Sequence, residues 1–408
     1  EIIEHIPDWL KKLLKILRNK IRKYSNNFSY CISYKEIAYS PDFRNIKDEK
    51  LYQYYIDFVS WYINSMTLWA EFWAKTAREK FPHNNIELVT GGTGNSVLGA
   101  DFAELCKMVS KYNAGIRITN ETENYKESFL LSGLVAGSAR FYKSYFSTEE
   151  GWVNTPKGVT ARIFNAVTSG AHGFYCKNFI TVDLHVCSRF SSIGKVTSCA
   201  ESLRKNISVL KTPFTSCREL AVVFPKKQVW LNINVLIRFY NLCNALRNVT
   251  DFEMIDETMI MDGALEKFKM AVVFFDNYLS HGINCNLTGW LNNGGIIIDL
   301  QFLGNRDYLA GQRTAKSEYH IEPCKNGYKV LTCGNIPNPS ELGDIIFNKN
   351  NRYPWKGIPG IPGDNSGIFT SRNQDKTIVF NEGKRSRTVP EFKTRLKPYE
   401  IKVLDGIL

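Results

Sequence analysis

The sequence predicts an α/β fold built on parallel strands with crossover helices, followed by a smaller doubly wound unit and a small β-rich tail. Three observations predict it. From Phe28 to Asn178 short apolar runs alternate with helical patterns, the rhythm of a parallel sheet whose strands return through helices. From Cys217 to Leu300 the alternation resumes on a smaller scale. From Cys324 onward Pro, Gly and Asn dominate, with short alternating runs between them.

The elements follow in order. Glu1–Lys23 places Ile6, Leu10, Leu13, Leu14, Leu17 and Ile21 at helical spacing with lysines between, so the chain opens as though inside a helix. Strands are expected at Phe28–Glu36, Ile86–Gly92, Gly115–Glu121, Phe141–Glu149 and Ala171–Asn178. Helices are expected at Leu51–Lys80, Ala100–Lys111, Phe129–Ala139 and Gly158–Ser169. The strand ends are polar in succession: Lys35 and Glu36, Thr90, Asn120 and Glu121, Glu149 and Glu150, Lys177 and Asn178. In a (β/α)8 TIM-type barrel those ends share one face, where the chemistry sits.

The second unit is expected to hold strands at Leu220–Phe224, Phe252–Ile255, Met270–Phe275 and Ile296–Leu300, with a helix at Ile233–Leu246. No G-x-G-x-x-G follows its first strand, so a dinucleotide site is not expected. Strands are expected in the tail at Thr377–Asn381 and Tyr399–Leu404. The expected domains are 1–205, 206–323 and 324–408.

Composition excludes several classes. Of 408 residues, 44% are hydrophobic and 23% charged, ordinary values for a globular protein. The formal net charge of +12 points to nucleic acid only if clustered. The densest runs, Lys11 to Lys23 and Lys384 to Arg387, are not interleaved with aromatics, so no nucleic-acid partner is expected. No apolar run reaches the length of a membrane span, so no membrane is expected. The ten cysteines include no C-x-x-C pair, and the histidines show no H-E-x-x-H spacing, so neither a metal nor another cofactor is expected. The cysteine spread suits a reducing, cytoplasmic compartment. The even count leaves disulfides open, and a lost upstream signal would leave secretion open. Five N-x-[ST] sequons, at Asn27, Asn120, Asn206, Asn248 and Asn286, do not by themselves establish export.

Three segments resemble a known family. "ISYKEIAYSPDF" (Ile32–Phe43) is similar to the strand-four end that presents a general acid/base. "YFSTEEGWV" (Tyr145–Val153) is similar to the strand-seven end that presents a nucleophile. "GVTARIFNAVTSGAHGFYCKN" (Gly158–Asn178) is similar to the helix and eighth strand that follow. With "KFKMAVVFFDNYLS" and "LNNGGIIIDL" inside Lys267–Leu300 and the closing "KPYEIKVL", the order resembles glycoside hydrolase family 42, the β-galactosidases of clan A. The resemblance implies a partial (β/α)8 barrel holding strands four to eight, then a flavodoxin-like domain and a small β-domain. It also implies a carbohydrate substrate, and either a homo-oligomer (a trimer in the family) or a chain supplying the missing barrel strands. Where the family has Asn before the acid/base, this sequence has Lys35, and an Asn-Glu pair occurs instead at Asn120–Glu121.

A retaining glycosidase needs two carboxyl groups about 5–5.5 Å apart, one protonated and one ionised. Glu36 and Glu149 are the expected pair. The apolar setting of Glu36 (Tyr34, Ile37, Tyr39) favours the neutral acid. Glu150 is the alternative nucleophile, because adjacent residues on an extended segment project oppositely and only one can face the cleft. Expected substrate contacts are Asn120, Glu121, Trp152, Arg117, Tyr125 and Asn178. Trp152 reads equally as a sugar platform or a lid over the core, and Arg117 as a hydroxyl ligand or an ion-paired filler of a barrel layer. The alternative function is a catalytically inactive, truncated barrel with a sugar-binding or scaffold role.

Overall fold

The computed structural model describes residues 52–90, 100–120, 122–150, 155–176, 193–212, 214, 216–274, 279–301, 318–333, 339–358 and 367–405. All of these lie in one compact unit, Arg44–Leu408. The expected strand at Phe28–Glu36 and the helix within Glu1–Lys23 lie outside the described residues.

The first half is a run of strand and helix: α1 (Tyr52–Lys80), β1 (Glu87–Thr90), α2 (Phe102–Ser110), β2 (Gly115–Asn120), α3 (Tyr125–Tyr142), β3 (Tyr145–Glu150), α4 (Pro156–Ser169) and β4 (Gly173–Cys176). The four strands form one parallel sheet in chain order. Local chemistry starts α2, α3 and α4. Asp101 accepts the Glu104 N–H at the head of α2, and Asn124 accepts those of Lys126 and Glu127 at the head of α3. Thr155 accepts the Gly158 N–H at the head of α4, where Pro156 opens the first turn. Gly170, at φ +74°, closes α4 in the left-handed conformation that glycine adopts without a Cβ penalty.

Phe141 and Tyr142 were expected to begin a strand, but they complete the last turn of α3. Lys143, at φ 58°, ends that helix, and β3 starts at Tyr145. An apolar pair at a helix end has the same composition as one at a strand start.

The sheet's two faces differ in character. Ile116, Ile118 and Phe146 are buried against Phe102, Leu105, Val109, Val135 and Ala139 of α2 and α3. The opposite face carries Glu87 and Val89 on β1, Arg117 and Thr119 on β2, Ser147 and Glu149 on β3, and Tyr175 on β4, aligned across the ladder. Side chains alternate along a strand, so one register fixes both faces.

The chain continues through α5 (Ile193–Lys205) and α6 (Ile207–Leu210) into β5 (Leu220–Phe224), α7 (Lys226–Leu231), α8 (Asn234–Arg247), β6 (Glu253–Asp256) and α9 (Glu257–Met261). A short 3-10 turn (Ala264–Lys267) leads to β7 (Met270–Val273), α10 (His281–Asn292), β8 (Ile296–Gln301), β9 (Glu318–Pro323), β10 (Tyr328–Cys333) and α11 (Pro339–Phe347). The six strands order as β6-β5-β7-β8-β10-β9, parallel except for the edge strand β9. Apolar residues on both faces are buried. Val222, Val272 and Ile298 pack against α8 and α11, and Ala221, Val223 and Ile297 pack against α9 and α10. The boundary expected at 323/324 falls inside this sheet, because β10 inserts between β8 and β9.

The tail adds β11 (Ile368–Arg372), β12 (Lys376–Asn381), β13 (Arg387–Val389), β14 (Thr394–Leu396) and β15 (Ile401–Asp405). β11, β12 and β15 form an antiparallel sheet, and β13 pairs with β14. One core joins all three regions: Phe129 and Phe164 from the first, Val222 and Phe252 from the second, Phe369 and Phe380 from the tail. Gly137 makes the closest approach, since a Cβ there would lie 2.0 Å from the Met254 carbonyl oxygen.

Among the described residues Cys106, Cys199 and Cys243 are buried, Cys217 and Cys285 exposed and Cys324 half-buried. Burial pushes the Cys106 thiol up to about 12, so it behaves as a small hydrophobe. No described helix is long and apolar enough to cross a membrane.

Candidate functional site

The polar face of the four-stranded sheet is built from alternate residues of each strand. Gly115 and Gly173 make it possible. A Cβ on Gly115 would lie 2.3 Å from the Tyr145 ring, and one on Gly173 would lie 2.5 Å from Ser147 Oγ. With no side chain at either position, Tyr145 lies across β2, and its hydroxyl donates to the Ile86 carbonyl at 2.7 Å. Ser147 donates to Glu87, tying β3 to β1.

Toward the carboxyl ends lies Glu149. Its Cα partners are Thr119 on β2 and Tyr175 on β4. Glu149 Oε2 lies 3.4 Å from Arg117 Nε, with 22% of the glutamate side chain exposed. That separation is an ion pair rather than a well-aligned hydrogen bond, and Arg117 Nε has no hydrogen-bond acceptor. The Arg117 guanidinium also lies over the Tyr175 ring, 5.0 Å from its centre. Burial, then the negative charge of Glu87 and a hydrogen bond to it, raise the Tyr175 phenol above its ordinary value. The phenol therefore serves as a proton-bearing donor at neutral pH. The result is a connected row, Glu149–Arg117–Tyr175–Glu87–Ser147, with a mostly buried carboxylate at its outer end.

The expected site residues divide as follows. Glu149 and Arg117 are brought together, and the ion-paired reading of Arg117 is the one its geometry matches. Asn120 ends β2, with Glu150 as its ladder partner at the end of β3. Glu36, Glu121, Trp152 and Asn178 lie outside the described residues. Tyr125 is corrected. It is fully buried at the first turn of α3, its hydroxyl accepts from Arg247 Nε at 2.9 Å, and its ring packs on Phe164, Phe369 and Phe380. A residue so enclosed is a core element and not a sugar contact. Burial raises its phenol further, and the neutral hydroxyl suits an acceptor for a guanidinium.

Sequence reasoning missed Glu87, Ser147 and Tyr175. Their signal was present in the two-residue period: Glu87 precedes Leu88 and Val89 in a short alternating strand, and Ser147 stands two residues before Glu149. Among the described residues no cluster of His, Cys, Asp and Glu has the arrangement of a metal site.

No family model matches the chain, and no curated protein matches it in sequence. Solved structures do. The β-galactosidase from Bacillus circulans sp. alkalophilus superposes with a TM-score of 0.60 at 14% identity, over 86% of this chain and 67% of that one. Gan42B, a GH42 β-galactosidase, gives 0.61 at 11% identity, over 98% and 75%. An exo-carrageenase GH42 from Bacteroides ovatus gives 0.59 at 14% identity, over 98% and 63%. The chain is thus an α/β protein whose fold is similar to that of GH42 glycoside hydrolases.

Proposed function

We propose that this chain is a retaining glycoside hydrolase acting on a β-linked galactoside or a related glycoside, with Glu149 as nucleophile and Glu36 as acid/base. The observation that carries the reading is the position of Glu149. It stands at the carboxyl end of a parallel strand, on the polar face, held by Arg117, in a fold similar to GH42 β-galactosidases.

In a double displacement the Glu149 carboxylate attacks the anomeric carbon while Glu36 protonates the departing glycosidic oxygen. The resulting glycosyl ester is then opened by water. Glu36 takes the water proton, the new C–O bond forms, and Glu149 leaves as carboxylate. Arg117 keeps one carboxylate oxygen engaged, which leaves the other for attack. Asn120, Glu121, Trp152 and Asn178 are proposed to line the sugar site. The strand order of the second sheet suits a flavodoxin-like domain, and the likeness to GH42 structures supports a partial (β/α)8 barrel, completed in a homo-oligomer or by a chain supplying the missing strands.

The test is hydrolysis of an aryl β-galactoside by the chain and by Glu149→Gln and Glu36→Gln. Loss of turnover in both, with native circular dichroism, is expected. Near-normal turnover in both overturns the assignment, and retention in Glu149→Gln alone moves the nucleophile to Glu150.

A further inference from the structure

A cavity of about 280 Å³ lies away from the polar sheet face, over the carboxyl ends of β5 and β6. Lys226 and Lys227, which follow β5, form one wall, and Glu257 and Thr258, which follow β6, form another. Asp101 and Glu104 of α2 close it from the first sheet's side. Ile283 of α10, the helix after β7, completes the enclosure. The strand order reverses direction between β5 and β7, and open α/β sheets bind ligands outside the carboxyl ends at such a point.

The charges are unequal. Lys226 is fully engaged: its ammonium lies 2.8 Å from Asp101 Oδ2 and 3.0 Å from Asp256 Oδ2, and donates to Thr258. Lys227 Nζ lies 3.8 Å from Glu257 Oε2. Glu104 accepts a hydrogen bond from Thr258 Oγ1 at 3.3 Å and has no ion pair among the described residues. Three carboxyl groups, those of Asp101, Glu104 and Glu257, thus line the cavity against two lysines. Burial first, and the neighbouring Asp101 charge second, raise Glu104 above the ordinary carboxylate range; burial raises Glu257 likewise. On the α1 side the Thr67 hydroxyl is buried without a hydrogen-bond partner. The remaining wall is apolar: Ile63, Trp230 and Ile283 are buried, and Met261 stands more than half exposed beside them.

A ligand that balances this cavity brings positive charge, N–H donors and a small apolar body. An anion would meet the carboxyl groups of Asp101, Glu104 and Glu257, and a bare divalent cation would leave the apolar wall of Ile63, Trp230 and Ile283 uncovered. We propose that the cavity binds a small organic ammonium ion, its cationic head against Glu104 and Glu257 and its carbon chain along Trp230 and Ile283. The site is separate from the polar sheet face, so its test needs no hydrolytic activity.

The test is titration calorimetry of the full chain with n-butylammonium chloride, with n-butanol and sodium butyrate as matched probes. Saturable one-to-one binding of butylammonium is expected, at least tenfold tighter than butanol, with no binding of butyrate. Glu104→Gln should weaken butylammonium at least tenfold. Met261→Trp, at an exposed position by the cavity, should block it and decides the matter if Glu104→Gln does not fold. Absence of butylammonium binding, equal binding of butanol, or unchanged affinity in the folded variants overturns the proposal.

Discussion

Arg117 and Glu149 form a diagonal ion pair across neighbouring parallel strands. Arg117 is in register with Ser147 and Glu149 with Thr119, yet Nε and Oε2 lie 3.4 Å apart. The side chains therefore span the two-residue offset between their ladder positions. The contact thus depends on the length and fork of arginine as well as on its charge.

Arg117→Met should lower kcat on an aryl β-galactoside by about ten- to a hundredfold, roughly 1.4–2.8 kcal/mol in the barrier, with little change in KM. Arg117→Lys should recover only part of the loss. Steady-state kinetics of both variants check this. A rise in KM at constant kcat would instead make Arg117 a substrate ligand.

Tyr125→Phe should leave turnover near normal and lower stability by about 1–3 kcal/mol, because Arg247 Nε then loses its 2.9 Å acceptor in a buried setting. Urea denaturation measures the loss. A selective fall in activity at unchanged stability would return Tyr125 to the sugar site.

The strand and helix pattern was largely legible in the sequence, and the reasons are local. β5 was read to the residue, since five apolar residues stand between Glu219 and Pro225. α3 was read four residues short at its start. Tyr125 to Ser128 look like a polar turn until Asn124 is known to cap them. Partners across strands were not legible. Arg117 was open to an ion pair, but nothing in the sequence says that it is Glu149 that answers it, because register is set by packing of the opposite face. The insertion of β10 between β8 and β9 was hidden for the same reason. Lys226, Asp101 and Asp256 come from three separate elements, and their meeting is a consequence of how the first sheet's helices lie on the second.

Buried ion pairs should set the acid limit of stability. Burial raises Glu253 and Asp251, but the Arg140 and Arg218 guanidinium groups on the one, and Arg218 and Arg247 on the other, outweigh it and hold both below their ordinary values of 4.5 and 3.8. Carboxylates with lowered folded values contribute stability above the unfolded value and lose it as pH falls through the folded one. The protein should therefore weaken as pH falls below about 4.5 toward the lowered folded values of these two groups. The raised carboxyls Glu104 and Glu257 act in the opposite sense, so the diagnostic is the difference between variants. Glu253→Gln should cost about 3–5 kcal/mol at neutral pH and flatten the acid slope, as read by urea titrations across that range.

Gly137→Ala should destabilise by about 1–3 kcal/mol or more, since its methyl group meets the Met254 backbone 2.0 Å away and neither α3 nor β6 can yield alone. A calorimetric melting temperature unchanged from the parent would refute this close approach.

The aromatic seam from Phe129 to Phe252 and from Tyr125 to Phe380 has a bearing on how this chain can be divided or recombined. Helices of the first region, the second sheet and the tail's sheet donate to one shared interior, so none of the three described regions is a dispensable module. A cut between β10 and β11 would strip Phe369 and Phe380 from the rings they cover and leave both pieces with a raw apolar surface. Grafting the tail of a relative onto this body would demand matched ring shapes at the joint, and heat should dismantle the whole unit in one cooperative step.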